Sequence, residues 1–487
     1  MFPCSPDGAR ATRQRRPLAA HAHARARDRS GHLARGAGWD GALGSRAGPA
    51  PVRGGGPPRD GRPGVRRERG AGRHAGLDRI GRLDAGAGTV EVEAGIEWPA
   101  LIGGLAARQV GAERPLTIAQ KQTGADRLTI GGAVAANAHG RGLAMRPFVA
   151  DVESLAIVDA EGEVRTASRR QDAELFRLAV GGYGLFGVVA SVTLRLVPRR
   201  KVERLVSLER VEDLMGAFSR RVGEGCLYGD FQFAIDESLP NFLRQGILAC
   251  YRPVSPRTPL PARPRELSRQ DWRGLVELAH TDRRRAFQRY AEHYLATAGQ
   301  VYWSDTHQLG VYLDDYHRAL DRRLRARVPA SEVITELFVP RAALPDFMAE
   351  AAVELRRRGV VVIYGTVRLI ERDGETLLEW AREPYACIVF NLHTEHSPQG
   401  IAATSGAMRS LIALALRRGG AYYLTYHRWA SAAQVEAAYP QMREFLRRKA
   451  ERDPAGLFQS EWYRHHVGLL GPSRTPRVEE RRARRYA

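Results

Sequence analysis

A stretch of small residues in the first third of the chain has the composition of a ligand-binding backbone. Gly or Ala occupies positions 131, 132, 133, 135, 136 and 138 of the segment that runs from Thr129 to Gly142. A backbone this bare lets successive amide groups approach a phosphate or the edge of a planar ring. Asn137 and His139 are the polar side chains at its centre. The same composition also suits a buried Gly/Ala helix that packs closely on a sheet, and composition does not separate the two.

A second glycine-rich segment, GYGLFG at residues 182–187, fits the pattern G-x-G-x-x-G. A dinucleotide-binding fingerprint needs a strand before the glycines and a helix after them, so that the pyrophosphate meets the helix N-terminus. The surrounding pattern predicts the reverse, with a helix over 172–179 and a strand over 188–197. We therefore reject the dinucleotide fingerprint and expect these glycines to form a tight turn that approaches something flat.

Strands and helices must hold these two glycine-rich segments in position. Alternating or β-branched runs predict strands over 89–93, 152–158, 164–167 and 188–197, and apolar positions at helical spacing predict helices over 97–105 and 172–179. Such alternation indicates an α+β domain over residues 77–200.

The last third of the chain shows the same alternation. Strands are predicted over 333–339, 360–370, 386–392 and 421–426, and helices over 341–358, 401–417 and 432–450. This pattern indicates a second α+β domain within residues 201–487, a sheet covered by helices. Its first part, residues 201–330, is basic and carries an aromatic cluster, and no elements are assigned there.

Residues 1–76 differ in composition from the rest of the chain. The net charge of the 487-residue chain is +21, yet residues 1–75 contain many arginines and no lysine, among Gly, Ala, Pro and His. This segment shows no period of 2 or 3.6, so no core-facing side can be drawn and we expect it not to fold. Translation of a GC-rich gene out of frame, or from too early a start, would produce such a mixture, and so would a disordered tail. A basic nucleic-acid-binding protein is the alternative hypothesis from a different functional class.

Other features narrow the class of protein. The four cysteines are widely scattered and include no C-x-x-C pair, which supports neither a disulfide framework nor a zinc site, so no metal is expected. No apolar run approaches the ~20 residues of a membrane-spanning helix. The N-terminus lacks the apolar core of a secretory signal, so a cytoplasmic protein is the default expectation.

Several segments in order resemble one family. Residues 129–140 (TIGGAVAANAHG) are similar to the FAD-binding segment of the vanillyl-alcohol-oxidase superfamily, whose FAD-linked oxidases carry a PCMH-type FAD-binding domain. That family includes alditol oxidases, aldonolactone oxidases and decaprenylphosphoryl-ribose oxidase. The resemblance continues through 172–176, 180–189, 336–340 and 452–462, covers roughly 77–466, and is strongest over 124–198. It implies a two-subdomain FAD-binding domain over 77–200, followed by a cap or substrate domain that returns to the flavin at its C-terminal end.

The resemblance also implies a site made by both domains. The residues expected to line FAD are Gly124, Thr129, Gly131, Gly132, Ala136, Asn137, His139 and Val189, with Tyr423 approaching the isoalloxazine from the cap. The expected catalytic residues, facing the substrate, are Glu336, Arg368, Tyr426 and His427. Flavin N5 takes hydride, a His or Glu accepts the hydroxyl proton, and an Arg orients a hydroxyl or carboxylate. For each of these four residues taken singly, a structural role stays open.

The expected function is therefore FAD-dependent oxidation of an alcohol, polyol, sugar or aldonolactone, with electrons passing to O₂ or another acceptor and no specific nucleic acid bound. An FAD-dependent reductase of the sterol Δ24 type is the alternative. Two departures from the family matter. The family's first FAD loop should lie 20–30 residues before Thr89, where residues 70–75 (GAGRHA) echo it only faintly and too close to the next strand. Certain relatives carry a lysine at the position of Tyr426, which puts an inherited substrate specificity in doubt.

Overall fold

The computed structural model describes residues 76–314 and 316–471. The Arg-rich segment and the faint echo at 70–75 lie outside the described residues. Within the described part, no helix is both long enough and apolar enough to cross a lipid bilayer.

The first part of the described chain forms a six-stranded antiparallel sheet with strand order β1-β2-β6-β4-β5, and β3 pairs with the end of β6. The helices pack on this sheet, and the predicted helix–glycine turn–strand order around residues 182–187 is confirmed. Two strands, Ile80–Asp84 and Leu116–Ile118, were not predicted: the exposed glycine and arginine of the first hide its alternation, and the second has only three residues. The elements are β1 Ile80–Asp84, β2 Thr89–Glu93, α1 Trp98–Arg108, β3 Leu116–Ile118, α2 Ile130–Ala136, β4 Val152–Val158, β5 Val164–Ser168, α3 Ala173–Ala179 and β6 Val188–Pro198.

Two glycines of residues 182–187 are needed because neighbouring residues of the protein lie too close for a side chain. A Cβ on Gly182 would overlap the carbonyl oxygen of Leu178, and Gly187 has a positive φ of +136° and would meet Ile157. The expected tight turn is present, and the close approach that these two glycines permit is to neighbouring backbone and side chain.

The second part forms an eight-stranded sheet with order β10-β7-β9-β8-β12-β13-β11-β14. Its strands are β7 Lys201–Arg210, β8 Tyr228–Phe233, β9 Gln245–Pro253, β10 Val301–Trp303, β11 Ala330–Pro340, β12 Val362–Ile370, β13 Tyr385–Glu395 and β14 Ala421–Tyr422. Its helices are α4 Leu214–Gly223, α5 Arg269–Thr281, α6 Arg283–Ala296, α7 Tyr316–Leu324, α8 Leu344–Arg358, α9 Pro398–Leu416, α10 Ala432–Ala438, α11 Met442–Arg452 and α12 Glu461–Leu470.

The two faces of this sheet differ in chemistry. Side chains alternate along a strand, and β11 and β13 pair without interruption from Ala330↔Glu395 to Pro340↔Tyr385. Val333, Leu337 and Val339 of β11 make one face largely apolar, and α8 and α9 cover it. The opposite face carries buried polar side chains, among them Glu336 of β11 and Arg368 of β12. A fully buried polar side of a sheet must be satisfied by something that packs on it.

Two predicted elements are shorter than expected. The strand predicted over 421–426 ends after Tyr422, because the next residues turn across the sheet edge, where the amide of Tyr423 donates to the carbonyl of Glu336 at 2.9 Å. The helix predicted over 432–450 is two helices. It is interrupted at Tyr439 (φ −132°, ψ 75°), since the following Pro440 has no N–H and restricts the residue before it.

The basic region 201–330, left unassigned from sequence, is fully structured where described. Two members of its aromatic cluster flank a buried cation: the guanidinium of Arg204 lies 4.9 Å from the ring centre of Tyr294 and 4.7 Å from that of Tyr302. The hydroxyl of Thr297 also accepts from this guanidinium, at 2.8 Å. These two rings and the hydroxyl therefore stabilise a charge buried in the second part of the chain.

Candidate active site

Helix α2 is packed on one side and open on the other. Thr129 caps its N-terminus by accepting from the amide of Gly132 at 3.1 Å. Gly131 is buried so closely on Ala94 that a Cβ would lie 3.0 Å from it, whereas Gly132 and Ala136 are half-exposed. The interpretation of the small-residue stretch as a closely packed helix is confirmed at Gly131, and the interpretation as a ligand-binding backbone stays a prediction.

The helix ends at Asn137, which holds the following loop in place. Its φ of +42° is left-handed, a conformation that asparagine tolerates better than most residues. Its side chain accepts from the amide of Val149 at 2.9 Å and donates to Asp373 at 2.8 Å, and its carbonyl accepts from the indole N–H of Trp380 at 3.1 Å. Because these polar atoms are used within the protein, Asn137 anchors the end of α2 to the second part of the chain.

His139 follows on this loop and meets Glu336 on the polar face of the eight-stranded sheet. Its Nε2 lies 2.6 Å from Oε1 of Glu336, and its Nδ1 lies 3.1 Å from the carbonyl of Gly140. Both side chains are fully buried. A backbone carbonyl can only accept, so Nδ1 carries a proton, and the short Nε2···Oε1 contact then requires one further proton between the two atoms. The pair therefore holds an exchangeable proton away from water.

Two further side chains, Gln122 and Arg368, and the second oxygen of Glu336 bring unsatisfied polar atoms to the same region. Oε2 of Glu336, Oε1 of Gln122, and Nε and Nη2 of Arg368 are buried without a hydrogen-bond partner among the described residues. Tyr426 links the group, since its hydroxyl accepts from Nε2 of Gln122 at 3.3 Å. A buried polar atom without a partner is costly, so these atoms indicate a binding position for a polar molecule.

The charges of this group act on one another. Burial opposes the charged form of Arg368, yet the neighbouring Tyr364, Asp230 and Glu336 raise its pKa above the usual value, so the guanidinium stays charged. Burial, with the charge of Glu336, raises the pKa of Tyr426 far above its usual value and keeps that hydroxyl protonated. The site thus offers a fixed cation and a neutral hydroxyl beside a carboxyl group.

Aromatic rings enclose His139. The ring centres of Trp380, Tyr423 and Phe338 lie 5.1, 6.3 and 6.5 Å from that of the imidazole. The hydroxyl of Tyr423 donates to the carbonyl of Ala136 at 2.7 Å, at the last turn of α2. Tyr423 therefore joins the sheet edge to the helix, in addition to any contact it makes with a ligand.

His427 is not brought together with the other candidate catalytic residues. Its Nε2 lies 3.0 Å from Oγ1 of Thr335, which points to the face of β11 opposite Glu336. Burial lowers the pKa of His427 to about 4, so its ring is neutral near pH 7. Of the expected flavin-lining residues, Gly124 has a φ of +71° and its carbonyl accepts from the hydroxyl of Tyr312 at 2.9 Å, and Val189 is a half-buried residue of β6.

Sequence reasoning missed Lys121, Asp126, Gln122, Asp373 and Trp380. The Nζ of Lys121 is fully buried, lies 2.6 Å from Asp126 and donates to the carbonyl of Gln122 at 2.8 Å, which fixes the loop that leads to α2. The amino-acid composition contained a signal that could have identified Lys121. The chain has three lysines among 75 basic residues, so each lysine is unusual. Lys121 and Lys449 are both buried in ion pairs, with Asp126 and Asp453.

The part of the chain that contains α2 and His139 is similar to known proteins. Residues 73–168 match the family model described as an FAD binding domain. L-gulono-1,4-lactone dehydrogenase of Mycobacterium tuberculosis is 36% identical over 123 residues, 25% of this chain and 26% of that protein. L-galactono-1,4-lactone dehydrogenase 1, mitochondrial, of Oryza sativa subsp. japonica is 32% identical over 126 residues, 26% of this chain and 20% of that protein. Decaprenylphosphoryl-beta-D-ribose oxidase of Mycolicibacterium smegmatis is 32% identical over 124 residues, 25% of each chain.

These alignments cover about a quarter or less of the relatives' own lengths. The expected resemblance and the expected cofactor are confirmed for the FAD-binding part, while the part that contains Glu336, Arg368 and Tyr426 lies beyond the matched family model.

Proposed function

Because residues 73–168 are an FAD-binding domain of the kind found in FAD-linked oxidases, we propose that the chain is an FAD-dependent oxidoreductase that oxidises a hydroxyl-bearing carbon. The substrate is a small alcohol, polyol, sugar or aldonolactone, and electrons pass on to O₂ or another carrier. The observation that carries this proposal is the buried Glu336–His139 pair with the charged Arg368 beside it. Lactone dehydrogenases among the relatives support the choice of a hydroxylated substrate.

The described residues fit an FAD group. Gly132, Ala135 and Ala136 are half-exposed on one side of α2, and their small side chains leave this surface accessible to a planar ring. The buried guanidinium of Arg368 presents two nitrogen atoms that have no hydrogen-bond partner among the described residues. A carboxylate, a phosphate or the carbonyl edge of a flavin would satisfy them. FAD, when bound, supplies the acceptor for a hydride from the substrate carbon.

The protein's own part in the reaction is to hold the substrate and take its proton. Oε2 belongs to the carboxyl group of Glu336, whose other oxygen is held by His139. In the ion-pair form, Oε2 accepts the hydroxyl proton as the carbon is oxidised. His139 keeps the carboxyl oriented and stabilises its charge, since its own Nδ1 is anchored to the carbonyl of Gly140.

Arg368, Gln122 and Tyr426 are proposed to orient the substrate. The charged guanidinium binds a substrate oxygen, and the free amide oxygen of Gln122 accepts from a second hydroxyl. The hydroxyl of Tyr426 stays protonated and serves as a donor. Water is excluded because Arg368 and Glu336 are no more than 2% exposed.

The test is anaerobic reduction of the flavin in the full chain purified with FAD. Addition of L-gulono-1,4-lactone or L-galactono-1,4-lactone, with a panel of polyols alongside, is expected to bleach the flavin absorbance without NADPH. The Glu336→Gln protein, matched in flavin content, is expected to bleach about 100-fold more slowly. Reduction by NADPH but by none of these substrates would replace the proposal with a reductase of the sterol Δ24 type. A chain that retains no FAD would refute both.

A further inference from the structure

A second buried carboxylate lies on the same strand as Glu336 and is surrounded by histidines. Glu332 of β11 is 1% exposed. Its Oε1 lies 2.9 Å from Nε2 of His280 on α5 and 3.6 Å from Nδ1 of His393 on β13. Its Oε2 lies 2.5 Å from Nε2 of His317 on α7. Four separate elements thus converge on one carboxyl group.

The hydrogen-bond partners of the imidazole rings indicate which ring nitrogens present a lone pair to the carboxylate of Glu332. Nδ1 of His280 lies 2.8 Å from the carbonyl of Val276, which can only accept, so Nδ1 carries the proton of the neutral ring. Nε2 of His280 therefore directs its lone pair at the carboxylate. Nδ1 of His393 is buried and has no hydrogen-bond partner among the described residues. Lone pairs that converge in this way repel one another unless a proton or a metal cation lies between them.

The separations suit a metal ion. The ligand atoms of His280, Glu332 and His393 all lie within 4.8 Å of one another. Ligands at the usual zinc distances of about 2.0–2.2 Å stand roughly 3.3 Å apart in a tetrahedral site, so small side-chain movements suffice. The hydroxyl of Tyr316 donates to Oε2 at 2.5 Å, and with His317 it holds the carboxylate so that Oε1 faces the other two ligands. Outer contacts of this kind are typical of metal sites.

Among the described residues, two groups of His, Cys and Glu side chains bring three potential ligand atoms close together, and the group around Glu332 consists of two imidazoles and a carboxylate. The nearby triad of His139, Glu336 and Cys387 differs, because burial and the charge of Glu336 raise the pKa of the Cys387 thiol well above its usual value. That thiol stays protonated and is a poor ligand.

We propose that Nε2 of His280, Nδ1 of His393 and Oε1 of Glu332 bind a divalent transition metal of the Zn²⁺ class, with water in the fourth position. Two imidazole nitrogens favour Zn²⁺ over Mg²⁺ or Ca²⁺, which prefer oxygen ligands. Glu332 and Glu336 point to the same face, roughly 13 Å apart at about 3.3 Å per residue, so the metal does not reach the reacting carbon. It links α5 to β11 and β13 and stabilises the wall of the cap.

The experiment uses the full FAD-loaded chain, stripped with a chelator and titrated with Zn²⁺ by calorimetry, with Mg²⁺ as the comparison cation. One equivalent of Zn²⁺ is expected to bind at a site that His280→Asn or His393→Asn weakens by about 100-fold or more. The matched control is His396→Asn, a neighbouring exposed histidine that contacts Ser331 and lies outside the triad. Zn²⁺ is expected to raise the Tm of the wild type and of this control, but not of the two ligand variants.

Co²⁺ substitution provides a readout that does not depend on how stable the variants are. Co²⁺ bound to the wild type is expected to show the visible absorption of a four- or five-coordinate nitrogen and oxygen site, and Glu332→Gln to lose it. The proposal is overturned if the wild type binds no Zn²⁺. It is equally overturned if His280→Asn and His393→Asn bind Zn²⁺ as tightly as the wild type, because the metal would then belong to histidines elsewhere in the chain.

Discussion

Nε2 of His139 lies 2.6 Å from Oε1 of Glu336, and this contact joins residues 197 positions apart in the chain. The histidine lies on the loop after α2, and the glutamate lies on the polar face of the eight-stranded sheet. Each alone would be a buried polar group without a partner. Together they share a proton beside Gln122 and Arg368, two side chains whose polar atoms are unsatisfied among the described residues, and this arrangement motivates the following predictions.

Glu336→Gln is expected to lower kcat by about 100-fold or more while FAD stays bound, because the amide no longer accepts the substrate proton. Gln keeps the size of the side chain and can still contact His139. The measurement is steady-state turnover with a substrate that reduces the wild-type flavin, alongside the flavin content of each protein. An unchanged kcat would assign Glu336 a structural role.

His139→Ala is expected to impair flavin reduction more than His427→Ala does. Loss of His139 leaves the fully buried Glu336 without its partner, a change that costs about 3–5 kcal/mol when the remaining group is charged. His427 contacts Thr335 on the other face of β11, so its loss should lower Tm and leave the reduction rate nearly unchanged. Stopped-flow reduction rates and thermal melts of both variants provide the comparison. Equal reduction rates in the wild type and His139→Ala would contradict the assigned role.

Arg368→Lys is expected to raise KM and to lower kcat/KM by about 100-fold. A lysine keeps the charge but cannot present the two nitrogen atoms, Nε and Nη2, that have no partner among the described residues. Arg382→Lys is a suitable control, since that arginine donates to the carbonyl of Gly420 outside the site. If kinetics with Arg368→Lys match those of the control, the guanidinium does not bind the substrate.

Tyr423→Phe is expected to lower stability by about 1–3 kcal/mol, because the carbonyl of Ala136 loses its donor within a buried contact. The end of α2 should loosen, so KM is expected to rise more than kcat falls. Chemical denaturation together with kinetics measures both effects. A variant as stable as the wild type, with kcat reduced instead, would show that the hydroxyl acts in the reaction.

Acid is expected to destabilise the protein through His427. Burial lowers its pKa to about 4 from an ordinary value of 6.5, so the unfolded chain binds the proton more readily. The neutral ring therefore contributes stability above pH 6.5 that is lost as the pH falls toward 4, on the order of 3 kcal/mol in all.

The matched comparison for this pH effect is His427→Gln, whose amide can still contact Thr335 but does not titrate. His466 has a pKa lowered to about 4 in the same way and titrates in both proteins, so the difference between them isolates His427. The variant should lose less stability than the wild type between pH 6.5 and 4. Parallel stability curves for the two proteins would rule out a buried neutral His427.

The sequence by itself determined the FAD-binding part. Most of its longer strands and helices were predictable because each follows a local rule, such as alternation in Thr89–Glu93 and apolar spacing in α1. The strands Ile80–Asp84 and Leu116–Ile118 were not predicted, and the helical interpretation of α2 was left open. The small residues of α2 also act locally, since a missing side chain leaves backbone exposed wherever the chain is placed. The strand over 421–426 and the single helix over 432–450 were wrong, because a sheet edge and a proline overrode the pattern.

Only the tertiary structure decided which polar residues meet. The sequence assigned His139 to the flavin and both Glu336 and His427 to the substrate, but the side of the sheet to which each one points separates His427 from the other two. The three histidines around Glu332 come from positions 280, 317 and 393, and no spacing rule connects them. Burial on a common sheet face removes water as a partner, and polar side chains far apart in sequence must then satisfy one another or a bound ligand.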